Sequence, residues 1–232
     1  QYVFGFLPVW LTYAARFPRF FNFMTHAPGL SHFIKGAAGI AHRRTLPLVA
    51  RETFTQWFRK RPHTSREAQP VVLWPDTFTN YFCPEVGRAA VAVLERSGFR
   101  VMLPEQTLCC GRPLYDYGLL DTAKQWLAKI VQVLAPYVTE SIPIVGLEPS
   151  CVAVFKDELT RFFPQDPRAQ TLARQVYLFS EFLAQHVERL PLRRLNREAL
   201  VQTHCHQQAL LGAGADETLF TALGLQAKII DS

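Results

Sequence analysis

The stretch VVLWPDTFTNYFCPEVGRAAVAVLERSGFRVMLPEQTLCCGRP, residues 71–113, decides the fold. Val71 to Trp74 is a short, apolar, β-branched run of the kind a buried strand needs. The polar residues 75–82 read as a turn that delivers Cys83 to Pro84 and Glu85. Proline in the first turn with an acid beside it marks a helix start. That helix is expected over Pro84–Arg96, with Val86, Ala90, Val93 and Leu94 on one face, ending at Gly98. Cys83 is then an N-cap thiol. A second strand over Arg100–Leu103 leads to Cys109, Cys110 and Gly111.

The same grammar recurs outward from this stretch. Helical spacing follows over Leu119–Leu134, then a strand over Ile142–Leu147, then Glu148-Pro149-Ser150-Cys151 and a helix over Val152–Phe162. Ala199–Thr203 reads as another strand, followed by His204, Cys205 and His206. Residues 71–113 and 199–232 share one layout: strand, Cys83 or Cys205, helix, Gly98 or Gly224, and a strand at Arg100–Leu103 or Ala227–Ile230. A thiol pair matching Cys109 and Cys110 is expected to begin at Asp231 and Ser232, so the chain reads as an excised piece.

Strand, thiol-bearing loop, helix is the order of an α/β sheet whose functional groups gather at the carboxyl ends of parallel strands. The expected fold is α/β, with two pseudo-repeated Rossmann-like cysteine-rich halves and a mainly helical N-terminal extension. The cysteines are expected to converge. Each lies near a helix N-terminus, whose dipole favours an anion, so lowered thiol pKa values are expected.

One boundary is expected, in the polar stretch Lys60 to Pro70, between a segment at 1–66 and a cysteine-rich domain at 71–232. Residues 1–66 hold 10 Lys/Arg against Glu52 alone, and the remainder holds 15 basic and 18 acidic residues, so the net +6 belongs to the first segment. That segment also holds 13 aromatic residues, which read as a docking surface rather than a nucleic-acid site. The chain starts at Gln1 with no signal-peptide pattern, and its longest uncharged run, Gln1–Ala15, is too short to span a bilayer and contains Pro8. Five cysteines in 232 residues do not make a secreted disulfide scaffold. A reducing, cytoplasmic setting fits, with the inner face of a membrane as the alternative.

Together Cys83-Pro84, Cys109-Cys110-Gly111-Arg112-Pro113, Glu148-Pro149-Ser150-Cys151 and His204-Cys205-His206-Gln207 resemble the cysteine-rich CCG domain. Heterodisulfide reductase, anaerobic glycerol-3-phosphate dehydrogenase and glycolate oxidase each carry it, the last in its iron–sulfur subunit. Ala27-Pro28-Gly29-Leu30, residues 35–40, Arg44-Thr45-Leu46-Pro47 and residues 52–58 resemble the connecting segment of fused FAD and iron–sulfur dehydrogenases of the D-lactate and D-2-hydroxyglutarate type. The resemblance implies electron relay. A 2-hydroxyacid reduces FAD in a missing upstream domain of the same parent chain, and electrons pass through a [4Fe–4S]-type cluster to a quinone or redox protein. It also implies Cys83, Cys109, Cys110, Cys151 and Cys205 as metal ligands and cluster-binding residues. No FAD motif and no C-x2-C-x2-C-x3-C-P run is present in the chain itself.

Other readings stay open on the residues alone. His204 and His206 are ligands or, for at least one of them, structural hydrogen-bonding groups. Glu148 and Asp116 are proton carriers or caps, and Arg112 steadies anionic sulfur or sits in a salt bridge. The rivals to a cluster are a zinc-stabilised interaction module and a cluster-free thiol/disulfide domain.

Overall fold

A computed structural model describes residues 2–62 and 67–230. Residues 63–66 of the expected linker, and Asp231 and Ser232, where a second thiol pair is expected to begin, lie outside the described residues. Helices α1 (Tyr2–Gly5), α2 (Leu7–Ala14), α3 (Pro18–His26), α4 (Leu30–Ala37) and α5 (Phe54–Lys60) come first. Pro8 and Pro18 sit in first turns, where the missing N–H costs nothing. Helix α5 starts with a capping box. Gln56 N donates to Thr53 Oγ1, and Thr53 N donates to Gln56 Oε1.

The first half then runs β1 (Gln69–Trp74), α6 (Thr77–Tyr81), α7 (Pro84–Arg96), β2 (Phe99–Met102), α8 (Arg112–Asp116), α9 (Leu120–Thr139) and β3 (Ile144–Gly146). It continues with α10 (Pro149–Lys156), α11 (Glu158–Phe162), α12 (Pro167–Gln175), β4 (Val176–Leu178) and α13 (Phe179–Ala184). The second half is β5 (Glu198–Gln202), α14 (Cys205–Leu210), α15 (Gly214–Ala222) and β6 (Gln226–Ile230).

Among the described residues every strand pairing is parallel, in the orders β2-β1-β3-β4 and β5-β6. The β1–β2 and β5–β6 units are the two repeats, and each passes through a glycine in the left-handed region, Gly98 at φ 83° and Gly224 at φ 67°. Only glycine adopts that conformation without a Cβ penalty. The α/β expectation with two related halves and a helical N-terminal part therefore holds.

The larger sheet is buried on both faces, as parallel sheets are. Alternation sends Val72, Trp74, Ile144, Val176 and Leu178 to the side covered by α9, α10 and α12, and Val71, Leu73, Val101 and Val145 to the side of α5, α7 and α13. Phe54, from before the linker, is fully buried in the second of these clusters.

Four local expectations differ from what forms. The stretch 75–82 is not a plain turn, because Asp76 accepts from the backbone N–H of Phe78 and Thr79, each at 2.9 Å, and starts α6. The helix expected over Val152–Phe162 breaks at Asp157, where φ −112° and ψ −72° leave the helical well, giving α10 and α11. The helix expected to end at Leu134 runs on to Thr139. Strand β4 lies beyond what the sequence predicts, since three residues carry no period.

Candidate functional site

The carboxyl ends of β1, β2, β3 and β5 each hand over to a loop and a helix start, and those loops build one site. From β1 come Asp76 and Thr77, from β2 come Cys109 and Cys110, from β3 come Glu148, Ser150 and Cys151, and from β5 comes His204. With Leu7, Pro8, Phe78, Arg112 and Pro113 they line a cavity of about 300 Å³. Leu7 and Pro8 belong to the N-terminal helices, so that segment closes part of the wall.

Three of the five cysteines meet here. Cys151 Sγ lies 3.1 Å from Cys110 Sγ and donates to it. Both are buried, and Cys109 is half-buried beside Cys110. Cys83 and Cys205 stand exposed at the same edge, outside the cavity lining. Cys83 does occupy the N-cap of α7, although its side chain makes no cap hydrogen bond. Cys205 is the first residue of α14, with its Sγ 3.7 Å from His206 Nδ1.

The expectation of lowered thiol pKa values is overturned for the three that converge. Hydrogen bonding to Cys110, then burial, pushes the Cys109 thiol well up, against weaker help from the Gly111 N–H and Thr77. For Cys110 the bond from Cys109 favours the thiolate. The bond with Cys151, burial and the charge of Cys151 outweigh it, and the thiol is pushed well up. Cys151 is helped by Cys110 yet raised overall, by burial and by the neighbouring Cys109, Asp76 and Glu148. One more negative charge in this crowded pocket costs more than a helix dipole returns. The guanidinium in the cavity lining is already engaged: Arg112 Nη1 lies 2.6 Å from Glu158 Oε1 and 3.6 Å from Asp116 Oδ1.

The Arg112–Glu158 pair has side chains only 12% and 9% exposed, so its loss is one-sided. Glu158→Ala leaves a largely buried guanidinium with only the exposed Asp116 at 3.6 Å and is expected to cost about 3 kcal/mol in urea unfolding, whereas joint replacement by Met and Leu stays near neutral.

Asp76 is absent from the residues the sequence singles out. The signal is there, an acid two residues past a strand with a hydroxyl three residues on, an N-cap pattern. It is 2% exposed, and while Oδ1 caps α6, Oδ2 has no hydrogen-bond partner. Burial raises its pKa first, with Glu148 adding to the rise, against the hydrogen bonds from Thr79 and Phe78. A raised carboxyl pKa means that the charge opposes folding. The cost is absent at pH values where Asp76 is protonated in both states, and it grows as pH rises through the ordinary carboxylate range towards the raised folded value. Asp76→Asn keeps the cap and removes the charge. Its stability relative to the parent is expected to climb from near zero in acid to a plateau at neutral pH, read by urea unfolding across pH.

Glu148 caps α10, accepting from Ser150 N and, at 2.7 Å, from Ser150 Oγ. His204 is structural in the way expected for one of the two histidines: its Nδ1 accepts from His206 N at 3.2 Å and caps α14. That leaves the proton of a neutral ring on Nε2, 3.9 Å from Glu148 Oε1. Ligand atoms of His204, Cys205 and His206 all lie within 4.8 Å of one another.

Residues 76–156 match the cysteine-rich domain family, CCG. Among curated proteins, the chain is 26% identical over 217 residues to a subunit of the anaerobic glycerol-3-phosphate dehydrogenase of Escherichia coli (strain K12), covering 91% of this chain and 54% of that protein. It is 32% identical over 152 residues to lactate utilization protein A of Bacillus velezensis, covering 63% of this chain and 61% of that protein. Lactate utilization protein A of Geobacillus kaustophilus is 33% identical over 148 residues, covering 61% of this chain and 59% of that protein. The chain thus spans between half and two thirds of the length of these relatives.

Proposed function

We propose that this chain, which carries a CCG cysteine-rich domain over residues 76–156, is an iron–sulfur electron-transfer part of a flavin-linked dehydrogenase acting on a D-2-hydroxyacid. One observation carries the reading: thiols from two strand ends, Cys109, Cys110 and Cys151, share one cavity, with Cys110 and Cys151 Sγ 3.1 Å apart. Soft thiolate donors select iron–sulfur clusters, zinc or copper(I) over hard cations, so this donor set fits a cluster. Cys109, Cys110 and Cys151 are the holding residues, with Cys83 and Cys205 on the same edge as further ligands. When bound, the cluster supplies a one-electron carrier.

The chain's own groups do the rest. Leu7, Pro8, Phe78 and Pro113 form an apolar wall that limits water. The three thiols, protonated in the metal-free state, must each release a proton on loading, so uptake is favoured by rising pH. Asp76 and Glu148 keep that pocket negative, which opposes adding an electron and lowers the potential of whatever the thiols hold.

The parent context is part of the proposal. One relative's name carries glycerol-3-phosphate and another's lactate, both oxidised at a secondary alcohol, a hydride step suited to FAD in a domain outside this chain. Trp10, Tyr13, Phe17, Phe20 and Phe23 stand exposed on the basic N-terminal helices. An apolar face of that kind supports docking on the flavin domain of the parent chain. Electrons then leave to a quinone or a redox protein. Among the described residues no helix is long and apolar enough to cross a membrane.

A zinc-stabilised module is the second reading, favoured by the His204, Cys205 and His206 grouping. The deciding experiment is anaerobic reconstitution followed by iron, sulfide and zinc analysis with visible and EPR spectra. Iron and sulfide in comparable amounts, with visible absorption that bleaches on reduction, support the cluster. Stoichiometric zinc in a colourless protein that takes up neither iron nor sulfide supports the second reading.

A further inference from the structure

We propose that in the metal-free chain Cys110 and Cys151 close to a reversible disulfide that locks the cavity against metal. The lock on metal rests on reading these thiols as ligands; the disulfide itself does not.

Cys110 and Cys151 follow β2 and β3, the strands on either side of β1, 41 residues apart in sequence, yet their sulfurs stand 3.1 Å apart. An S–S bond of about 2.05 Å needs an approach of roughly one ångström, within reach of side-chain rotation. Covalent geometry disfavours the rival pair. Cys109 and Cys110 are consecutive, with Cα atoms about 3.8 Å apart across a trans peptide. Disulfides usually use Cα separations of about 4.4–6.8 Å, and a shorter one stores strain. Cys83 and Cys205 are exposed and lie outside the lining, so neither competes for the buried pair. Cys109 stays a thiol on the wall, shared with a neighbouring cavity lined by Pro8, Thr107 and Trp126.

The oxidant is a low-molecular-weight disulfide, R–S–S–R. One cysteine sulfur, as thiolate, attacks it, breaking the R–S–S–R bond and forming a mixed disulfide. The RS⁻ released takes up the proton lost by the thiol. The second cysteine sulfur then attacks the protein sulfur of the mixed disulfide and expels a second RS⁻, which takes the second proton. Two protein thiols lose two electrons and two protons, and one small disulfide becomes two small thiols. The product has no thiolate at either position. Because both sulfurs sit on the wall of the proposed ligand site, the oxidised chain holds an incomplete donor set until a thiol reductant reopens it.

The test treats the chelator-stripped, reduced chain with oxidised glutathione, blocks remaining thiols with iodoacetamide under denaturing conditions, and maps peptides by mass. The expected result is one protein–protein link, Cys110–Cys151, with Cys83, Cys109 and Cys205 alkylated or carrying a single glutathione. Zinc uptake, read with a chromogenic chelator in a His206→Ala background that removes the separate His204, Cys205 and His206 grouping, should fall by more than the roughly tenfold that loss of a supporting group alone costs, and return after dithiothreitol. Five alkylated cysteines, a Cys109–Cys110 link, or a link involving Cys83 or Cys205 overturns the disulfide. A Cys110–Cys151 link with unchanged zinc uptake overturns the lock. Failure of the reduced chain to take iron and sulfide sinks the cluster reading instead, and leaves the peptide map as an independent result. Cys109→Ser, expected to keep the link, is a control that does not require either bonded cysteine to be replaced.

Discussion

Cys110→Ser is expected to abolish iron and sulfide uptake while leaving the chain folded. Cys110 is the middle of the three thiols, hydrogen-bonded to Cys109 on one side and 3.1 Å from Cys151 on the other. Serine keeps the volume and can still hydrogen-bond both neighbours, so the buried position stays satisfied. A neutral hydroxyl is no substitute for a thiolate at a soft metal. The loss should exceed the roughly 10–100-fold that removal of an outer-shell partner brings. Cys83→Ser and Cys205→Ser, at exposed positions, show in the same assay which of them completes the ligand set. Unchanged iron and sulfide in Cys110→Ser, with far-ultraviolet circular dichroism confirming the fold, sinks the assignment of this cavity.

Phe54→Ala is expected to cost about 3–5 kcal/mol in urea unfolding. The Phe54 side chain is fully buried, with Trp57 and Phe58 ring centroids at 5.9 and 6.1 Å. Its ring lies flat over Gly87 on α7, where an added Cβ would come within 2.6 Å of Phe54 Cδ2. Gly87→Ala is therefore also destabilising. Because the two changes act at one contact, the double variant should cost less than the sum. Additive effects, or a Phe54→Ala cost near zero, would mean that α5 is not part of the sheet's core. The contact ties the N-terminal segment to the cysteine-rich sheet on the face opposite α9.

Much of the site's framework is legible in one dimension. Pro84 and Glu85 after Cys83, and Glu148 and Pro149 before Cys151, are local start signals, because capping and proline geometry act over three or four residues. Helix α7 accordingly runs over the expected Pro84–Arg96. The strand β1 is readable because four buried apolar residues in a row suit a strand covered on both faces. Asp76 escapes such a reading because its role in starting α6 is local but its burial is not. Its unpartnered Oδ2 follows from four strand ends meeting around it.

The protonation of the thiols cannot be read from neighbours in sequence. A helix N-terminus predicts a lowered pKa for one cysteine considered alone, whereas the neighbouring thiols and burial raise all three, with two carboxylates adding to the rise at Cys151. The same limit applies to Arg112, adjacent to the cysteine pair in sequence yet committed to Glu158, 46 residues away.

By itself, the order of residues determined the alternation of strands and helices, the doubled layout, and the placement of Cys109, Cys110, Cys151 and Cys205 in loops or helix starts that follow strands. Those features rest on hydrophobic period, caps and turns, which are short-range. Only the tertiary structure decided which cysteines meet, that Leu7 and Pro8 close their cavity, and that Phe54 belongs to the sheet's core. Those outcomes depend on which strands become neighbours in the order β2-β1-β3-β4 and on what then shields the pocket from water, and both are set by packing between segments far apart in the chain.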